Sequence, residues 1–188
     1  MKQFYKNLDK IDKKKLISLD ETAIYINMMP IYGRTKSGKR LIVETSNYPF
    51  KKYNLLCAIK ENRIVGWVLY ENLKGGIKKE QLVEFIKKYI NNRYKNYHIL
   101  MDNASFHRSH VVRDELLKKN NKILFCVRYN PQTNPIEEFF SQIKHYVRKS
   151  SPLNYAEIYK TLEKIFKTKV KKSHLQNYFK HVFAKIEK

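Results

Sequence analysis

Leu16-Ile17-Ser18-Leu19-Asp20 is the stretch that decides the fold of this 188-residue chain. It is a short apolar run that ends on a carboxylate, a pattern typical of a buried β-strand. Tyr97-His98-Ile99-Leu100-Met101-Asp102 repeats the pattern. In an open α/β sheet, ligands bind where the carboxyl ends of neighbouring parallel strands meet. If these two strands are neighbours, Asp20 and Asp102 lie together at one edge of the sheet.

The spacing of apolar residues around these two strands is typical of strands in the first half of the chain and mostly of helices in the second. Further strands are predicted at residues 24–32, 41–43, 53–59, 64–70 and 122–127, with a four-residue connection inside the hairpin 53–70. Amphipathic helices are predicted at about 78–92 and 109–119, from Pro135 onward, and twice more near the C-terminus. Strands that come first and then alternate with helices predict an α/β fold: a mixed five-stranded sheet flanked by helices, with extra C-terminal helices.

The same survey suggests three parts of the chain. Residues 1–15 contain few apolar groups and end in three lysines, which is typical of a leader or linker. Residues 16–150 hold the strands and helices of a single domain, which carries the candidate catalytic residues. Residues 151–188 form helices that we expect to pack on this domain or on a partner.

The charge of the chain points to a polyanionic partner. Lys and Arg number 39 against 17 Asp and Glu, which gives a formal net charge of +22. Aromatic residues make up 13% of the chain, too many for a disordered basic tail. Nucleic acid is the expected partner, and an anionic membrane surface or a merely solubilising surface are the alternatives.

Nothing in the sequence indicates export or a membrane. There is no signal peptide and no 18-residue apolar stretch. Cys57 and Cys126 lie far apart and show neither zinc-ligand nor disulfide spacing. We therefore expect a cytoplasmic, DNA-associated protein.

A third carboxylate completes a candidate metal site. Glu137 begins the helix after Asn134-Pro135 and could reach the edge that carries the two aspartates. Three carboxylates repel one another unless cations hold them, and Mg²⁺ suits a few carboxylates plus water and phosphate oxygens. Two such ions about 3.5–4 Å apart suit phosphodiester chemistry. The alternatives are that Glu137 belongs to a capping box, that the aspartates are strand-end caps, and that Glu138 is the third carboxylate.

Three blocks in this order resemble the catalytic domain of a DDE transposase of the mariner superfamily, in its bacterial insertion-sequence branch. They are Ser18-Leu19-Asp20-Glu21-Thr22, residues 100–107 (LMDNASFH) and Asn134-Pro135-Ile136-Glu137. The second aspartate and the glutamate are separated by 34 residues, and residues 32–38 (YGRTKSG) also resemble the family. Departures are Gln132-Thr133, where the family carries an acidic residue and Leu, and Phe140, where Trp is common.

This resemblance implies a ribonuclease-H-like fold in which Asp20, Asp102 and Glu137 are catalytic and bind two Mg²⁺ ions, with Mn²⁺ able to substitute. It implies cleavage at transposon ends, strand transfer into target double-stranded DNA and a homodimer in the active complex. Family members also carry a helix-turn-helix region before this domain. Residues 1–15 are too short to hold one, so we expect that part to be separately encoded or removed. The C-terminal helices could supply end recognition instead, but packing on the sheet or pairing with a second protomer explains their apolar faces better.

Other residues are expected to assist. Asn103 and His107 could orient the second aspartate or touch phosphate, although an ordinary loop hydrogen bond explains them equally well. Glu21 should point away from Asp20, to the other face of the strand. The candidate DNA-backbone contacts are Arg34, Lys36, Lys39 and Arg40 in a turn, and Lys144 and Arg148 on the helix face of Glu137.

The sequence thus predicts an Mg²⁺-dependent transposase domain that cleaves and joins DNA strands. Two alternatives remain at this point. One is a ribonuclease-H-like nuclease that cuts without joining. The other is a decayed transposase remnant that only binds DNA, although three clustered carboxylates give a DNA-binding module no advantage.

Overall fold

A mixed sheet is the centre of the molecule. The computed structural model describes residues 1–26, 35–39, 51–71, 73 and 75–184. Within them, five strands form one sheet, namely β1 Leu16–Tyr25, β2 Lys52–Lys60, β3 Arg63–Glu71, β4 His98–Met101 and β5 Lys122–Phe125. Their spatial order is β3-β2-β1-β4-β5. The predicted strand at 41–43, residues 27–32 of the strand predicted at 24–32, and the candidate contacts Arg34 and Arg40 lie outside the described residues.

β1 joins an antiparallel half of the sheet to a parallel half. It pairs antiparallel with β2, with Asp20 opposite Cys57, and parallel with β4, with Ser18 opposite Leu100. β2 and β3 form a hairpin, and β4 pairs parallel with β5. β4 pairs with residues 16–18 of β1, so the carboxyl ends of β4 and β5 lie beside Asp20, which stands within β1 and not at its end as predicted.

Alternation along β1 separates two apolar cores, one on each face of the sheet. Leu16 and Ile24 belong to one core, and Ile17 and Leu19 belong to the other. Successive strand residues point to opposite faces, so a central strand buried on both sides reads as a continuous apolar run. This is why residues 16–19 carry almost no polar side chain.

Helices cover both faces. The helices are α1 Lys2–Asp9, α2 Lys79–Phe85, α3 His110–Leu117, α4 Pro135–Ser150, α5 Tyr155–Thr168 and α6 Lys172–Phe183, and a π-helix, Ile86–Asn91, continues α2. The core beneath α2, the π-helix and α3 contains Leu82, Ile86 and Leu116. The opposite core contains residues of α1, α4, α5 and α6. No helix in the described part of the chain is long and apolar enough to cross a membrane.

Helix α4 shows how the local sequence sets an element that carries the site. Asn134 stands at its N-cap in an extended conformation, and Pro135 occupies the first helical position, where its missing N–H costs nothing. Ile136, Phe139 and Ile143 recur at helical spacing and are fully buried. This apolar stripe anchors α4 against the sheet and places its first turn beside Asp20 of β1.

The structure departs from the predicted elements in several places. Residues 1–15, expected as a leader or linker, include helix α1, whose Phe4 and Leu8 are buried in the main core. The strands predicted at 16–20 and from 24 form one continuous strand, β1. The hairpin turn is two residues, Glu61 and Asn62, rather than four. The helix predicted at 78–92 changes from α to π geometry at Ile86.

Candidate active site

A cleft of about 470 Å³ opens where β4 and β5 end, beside the middle of β1. Asp20 reaches it from β1, Asp102 from the residue after β4, and Glu137 from the first turn of α4. Arg108 and the loop that follows β5 complete its wall. The sheet topology thus brings together three carboxylates that are separated by 81 and 34 residues in sequence.

Asp20 is held rigidly at the buried end of the cleft. It is only 5% exposed. Its Oδ1 accepts a hydrogen bond from the backbone N–H of Glu21 (2.8 Å), and its Oδ2 accepts one from Nδ2 of Asn134 (2.8 Å). The Ser18 hydroxyl donates to Oδ1 of Asn134, which fixes the orientation of that amide. Asn134 therefore links the start of α4 directly to the carboxylate of β1.

Burial raises the pKa of Asp20 well above its ordinary value, and the negative charges of Glu21, Asp102 and Glu137 raise it further. An ionised carboxylate in this position is unfavourable unless a cation accompanies it. The site is therefore one in which positive charge would be bound.

Asp102 lies in a different environment. Its Oδ1 accepts hydrogen bonds from the backbone N–H of Ala104 (3.0 Å) and from Nδ1 of His107. The hydrogen bond from His107 lowers the pKa of Asp102, and partial burial only partly opposes it. His107 is fully buried, and its Nε2 lies 3.7 Å from Oε2 of Glu21 on the neighbouring strand. His107 thus lies between two carboxylates and is hydrogen-bonded to that of Asp102.

The two candidate glutamates of α4 diverge. Glu137 lines the cleft, and its pKa is raised by burial and by Asp102, although the cation of Lys144 opposes this. Glu138 instead lies 2.9 Å from Nδ1 of His181 on α6. Burial lowers the pKa of Lys144, as does the nearby charge of Arg148. The structure therefore places Lys144 beside Glu137, as the helix spacing predicted.

The three carboxylates line the cleft without converging. Across the residues that the structure describes, no group of three His, Cys, Asp or Glu side chains already has the spacing of a metal site. The donors are nevertheless oxygen atoms, which Mg²⁺ and Mn²⁺ prefer. Within the described part of the chain, both hydrogen bonds of Asp102 are made by Oδ1, so Oδ2 remains for a cation. In chemical type and exposure, the residues fit a divalent ion.

Of the other candidate residues, some line the cleft and some do not. Asn103 lines the cleft. Among the residues that the structure describes, it makes no side-chain hydrogen bond to Asp102. Lys36 and Lys39 are exposed in a turn closed by a hydrogen bond from the Lys39 N–H to the Lys36 carbonyl (3.0 Å) and do not line the cleft.

Sequence reasoning missed three residues of the cleft wall, Arg108, Arg128 and Tyr129. Their positions in the sequence, directly after elements that end at the cleft, could have indicated them. Arg108 follows the DNASFH block directly, and the other two follow β5 at the same sheet edge.

Comparisons with known proteins agree with this geometry. A family profile described as DDE superfamily endonuclease matches residues 15–159. Comparison with curated protein sequences gave no match. Among solved structures, the Mos1 strand transfer complex matches with a TM-score of 0.80 at 16% identity, over 99% of this chain and 56% of that one. The Mos1 mariner paired end complex with Mn gives 0.78 at 18% identity, over 99% and 57%.

The isolated catalytic domain of Mos1 mariner transposase matches with a TM-score of 0.71 at 16% identity, over 99% of this chain and 85% of that one. This chain thus spans a little over half of the Mos1 chains in the two complexes. At such identities the likeness shows the fold, and the predicted ribonuclease-H-like architecture is confirmed. Membership of a bacterial insertion-sequence branch stays a prediction. Since the family profile covers most of its length, the chain belongs to the DDE superfamily endonucleases.

Proposed function

We propose that this chain is a transposase catalytic domain that cleaves DNA strands and joins them to target DNA, with Asp20, Asp102 and Glu137 as its catalytic carboxylates. The observation that carries the proposal is that all three line one cleft beside the parallel strands β1 and β4.

Divalent cations, Mg²⁺ with Mn²⁺ as substitute, are the proposed cofactor, with two ions at the three carboxylates. Structures of similar fold include Mos1 paired end complexes with Mn and with Mg. When bound, such ions would stabilise the negative charge that develops as a phosphodiester is displaced. The raised pKa of Asp20 supports this assignment, because a nearby cation would stabilise its ionised form.

The surrounding residues act by positioning. Asn134, held by Ser18, fixes the rotamer of Asp20, and His107 fixes that of Asp102. Such partners behind a ligand usually decide how well it binds metal. We propose that Lys144 and Arg148 contact the DNA backbone beside the cleft, and that Arg34, Lys36, Lys39 and Arg40 contact it as well.

Double-stranded DNA, both transposon end and target, is the proposed substrate, and a homodimer is the proposed active assembly. One structure of similar fold is a Mos1 transposase paired-end complex with the left transposon end. The positive charge of this chain supports DNA as the partner in its own right.

The test is a plasmid assay in Mg²⁺ or Mn²⁺ that scores both nicking and the joining of a labelled duplex 3′-end to the plasmid. Asp20→Asn, Asp102→Asn and Glu137→Gln should each lose activity by orders of magnitude, because each removes a metal ligand. Glu138→Gln, one residue along the same helix, is the matched control and should stay active.

Wild-type activity in any of the three variants would remove that residue from the site. Nicking without joining would favour the ribonuclease-H-like nuclease over the transposase.

A further inference from the structure

Tyr129 is the most exposed large apolar residue that the structure describes. Its relative exposure is 103%, whereas the next exposed tyrosines, Tyr25 and Tyr159, each reach 39%. Its backbone φ is +57°, a left-handed conformation that costs free energy for any residue but glycine and, to a lesser degree, asparagine. A bulky ring is thus held in solvent by a backbone conformation that does not favour it.

The loop that carries Tyr129 is fixed by hydrogen bonds on both sides. The Thr133 hydroxyl donates to the Asn130 carbonyl (2.8 Å) and accepts from the Val127 N–H (3.2 Å). The Asn130 N–H donates to the Val127 carbonyl (3.1 Å), and Thr133 is fully buried. These contacts impose the turn, so the exposure of the ring is a property of the folded loop.

The place of the ring indicates its ligand. Tyr129 lines the same cleft as the three carboxylates, together with Arg108 and Arg128, both of which are exposed. A cleft with an acidic interior and two guanidinium groups and one aromatic ring at its rim is suited to a nucleotide strand. Arginine binds its phosphates, and an aromatic ring stacks on its bases.

Only an unpaired base offers a free face to such a ring, because the bases of an intact duplex are already stacked on one another. Stacking of this kind does not depend on sequence, since every base has a π-face. It would hold one nucleotide of the reacting strand in place while the adjacent phosphate lies among the carboxylates.

We propose that Tyr129 is a stacking platform for one unpaired nucleobase next to the phosphate that reacts, with Arg108 and Arg128 on the flanking phosphates. The proposal rests on the proposed function, since it assumes that DNA enters this cleft. It names a subsite of the cleft and the chemical class that the subsite accepts.

The test is binding of the full chain, in EDTA, to duplexes that carry 2-aminopurine either unpaired or fully paired. For the wild type, the unpaired 2-aminopurine should be quenched on binding. Tyr129→Ala should lose this quenching, and it should bind the duplex with the unpaired 2-aminopurine about 10- to 100-fold more weakly than the wild type does. Tyr129→Phe should match the wild type, because it keeps the ring. Tyr25→Ala, an exposed tyrosine outside the cleft, is the matched control.

Tyr129→Gly separates a functional role from a structural one. Because glycine adopts positive φ without strain, this variant should have an equal or higher melting temperature, yet lose the quenching. The proposal would be overturned if Tyr129→Ala bound the duplex with the unpaired 2-aminopurine as tightly as the wild type does. An equal loss of affinity for the fully paired duplex would overturn it as well. The assay needs no catalysis, so its outcome is independent of whether the carboxylate variants cleave DNA.

Discussion

At the scale of single residues, the two aspartates of the cleft differ because of what surrounds them. Asp20 is buried among other carboxylates, and its pKa is raised. Asp102 accepts a hydrogen bond from His107, and its pKa is lowered. The lowered pKa favours the charged form of Asp102, whereas the raised pKa disfavours that of Asp20. A cation bound in the cleft would favour ionisation of Asp20.

His107→Ala should weaken Mn²⁺ binding about 10- to 100-fold, because Asp102 loses the hydrogen bond that orients it and keeps it charged. Isothermal titration with Mn²⁺ measures the effect. His110→Ala, an exposed histidine at the start of α3, is the control and should bind Mn²⁺ normally. DNA affinity in EDTA should be unchanged in both variants, and equal Mn²⁺ affinity in both would contradict a positioning role for His107.

At the scale of elements, a buried amide network connects the π-helix with the edge of the parallel strands. Nδ2 of Asn121 donates to Oδ1 of Asn91 and to the Tyr94 carbonyl, both at 3.1 Å. Its Oδ1 accepts from the Tyr97 N–H at 2.9 Å. Asn91 in turn donates to Glu115 of α3. The network joins the end of the π-helix to the residues that lead into β4, and so to the strand that positions Asp102.

Asn121→Ala should lower the free energy of unfolding by about 1–3 kcal/mol, because it leaves buried N–H and carbonyl groups without partners. Urea unfolding measures this change. Asn92→Ala removes an exposed amide with a single 3.4 Å contact to the Lys88 carbonyl and should change stability by less than about 0.5 kcal/mol. Similar stability of the two variants would show that the network carries no net stabilisation.

At the scale of the whole molecule, the charge of +22 should govern DNA binding. Each phosphate neutralised by Lys or Arg releases counterions, so the affinity falls steeply with salt. If about six side chains touch phosphates, the logarithm of the binding constant should fall with the logarithm of the salt concentration with a slope of roughly −5. Fluorescence anisotropy with random duplex DNA measures it, and a slope near zero would contradict DNA as the partner.

The sequence by itself determined most of the elements. The apolar runs before Asp20 and Asp102 marked two strands, although β1 continues beyond Asp20, and Asn134-Pro135 marked the helix that carries Glu137. These signals are local: a run of apolar residues, a proline at the first helical position and a helical spacing are all visible within a dozen residues. For the same reason the family resemblance could be found from three short blocks.

Only the tertiary structure decided the environments of those residues. The hydrogen bond from Asn134 to Asp20 spans 114 positions, and the approach of Glu21 to His107 depends on two strands pairing in parallel. The core position of α1 and the exposure of Tyr129 likewise depend on distant contacts and on a turn imposed by Thr133. Burial, charge pairing and pKa arise between groups that meet only after folding, and a linear pattern does not contain them.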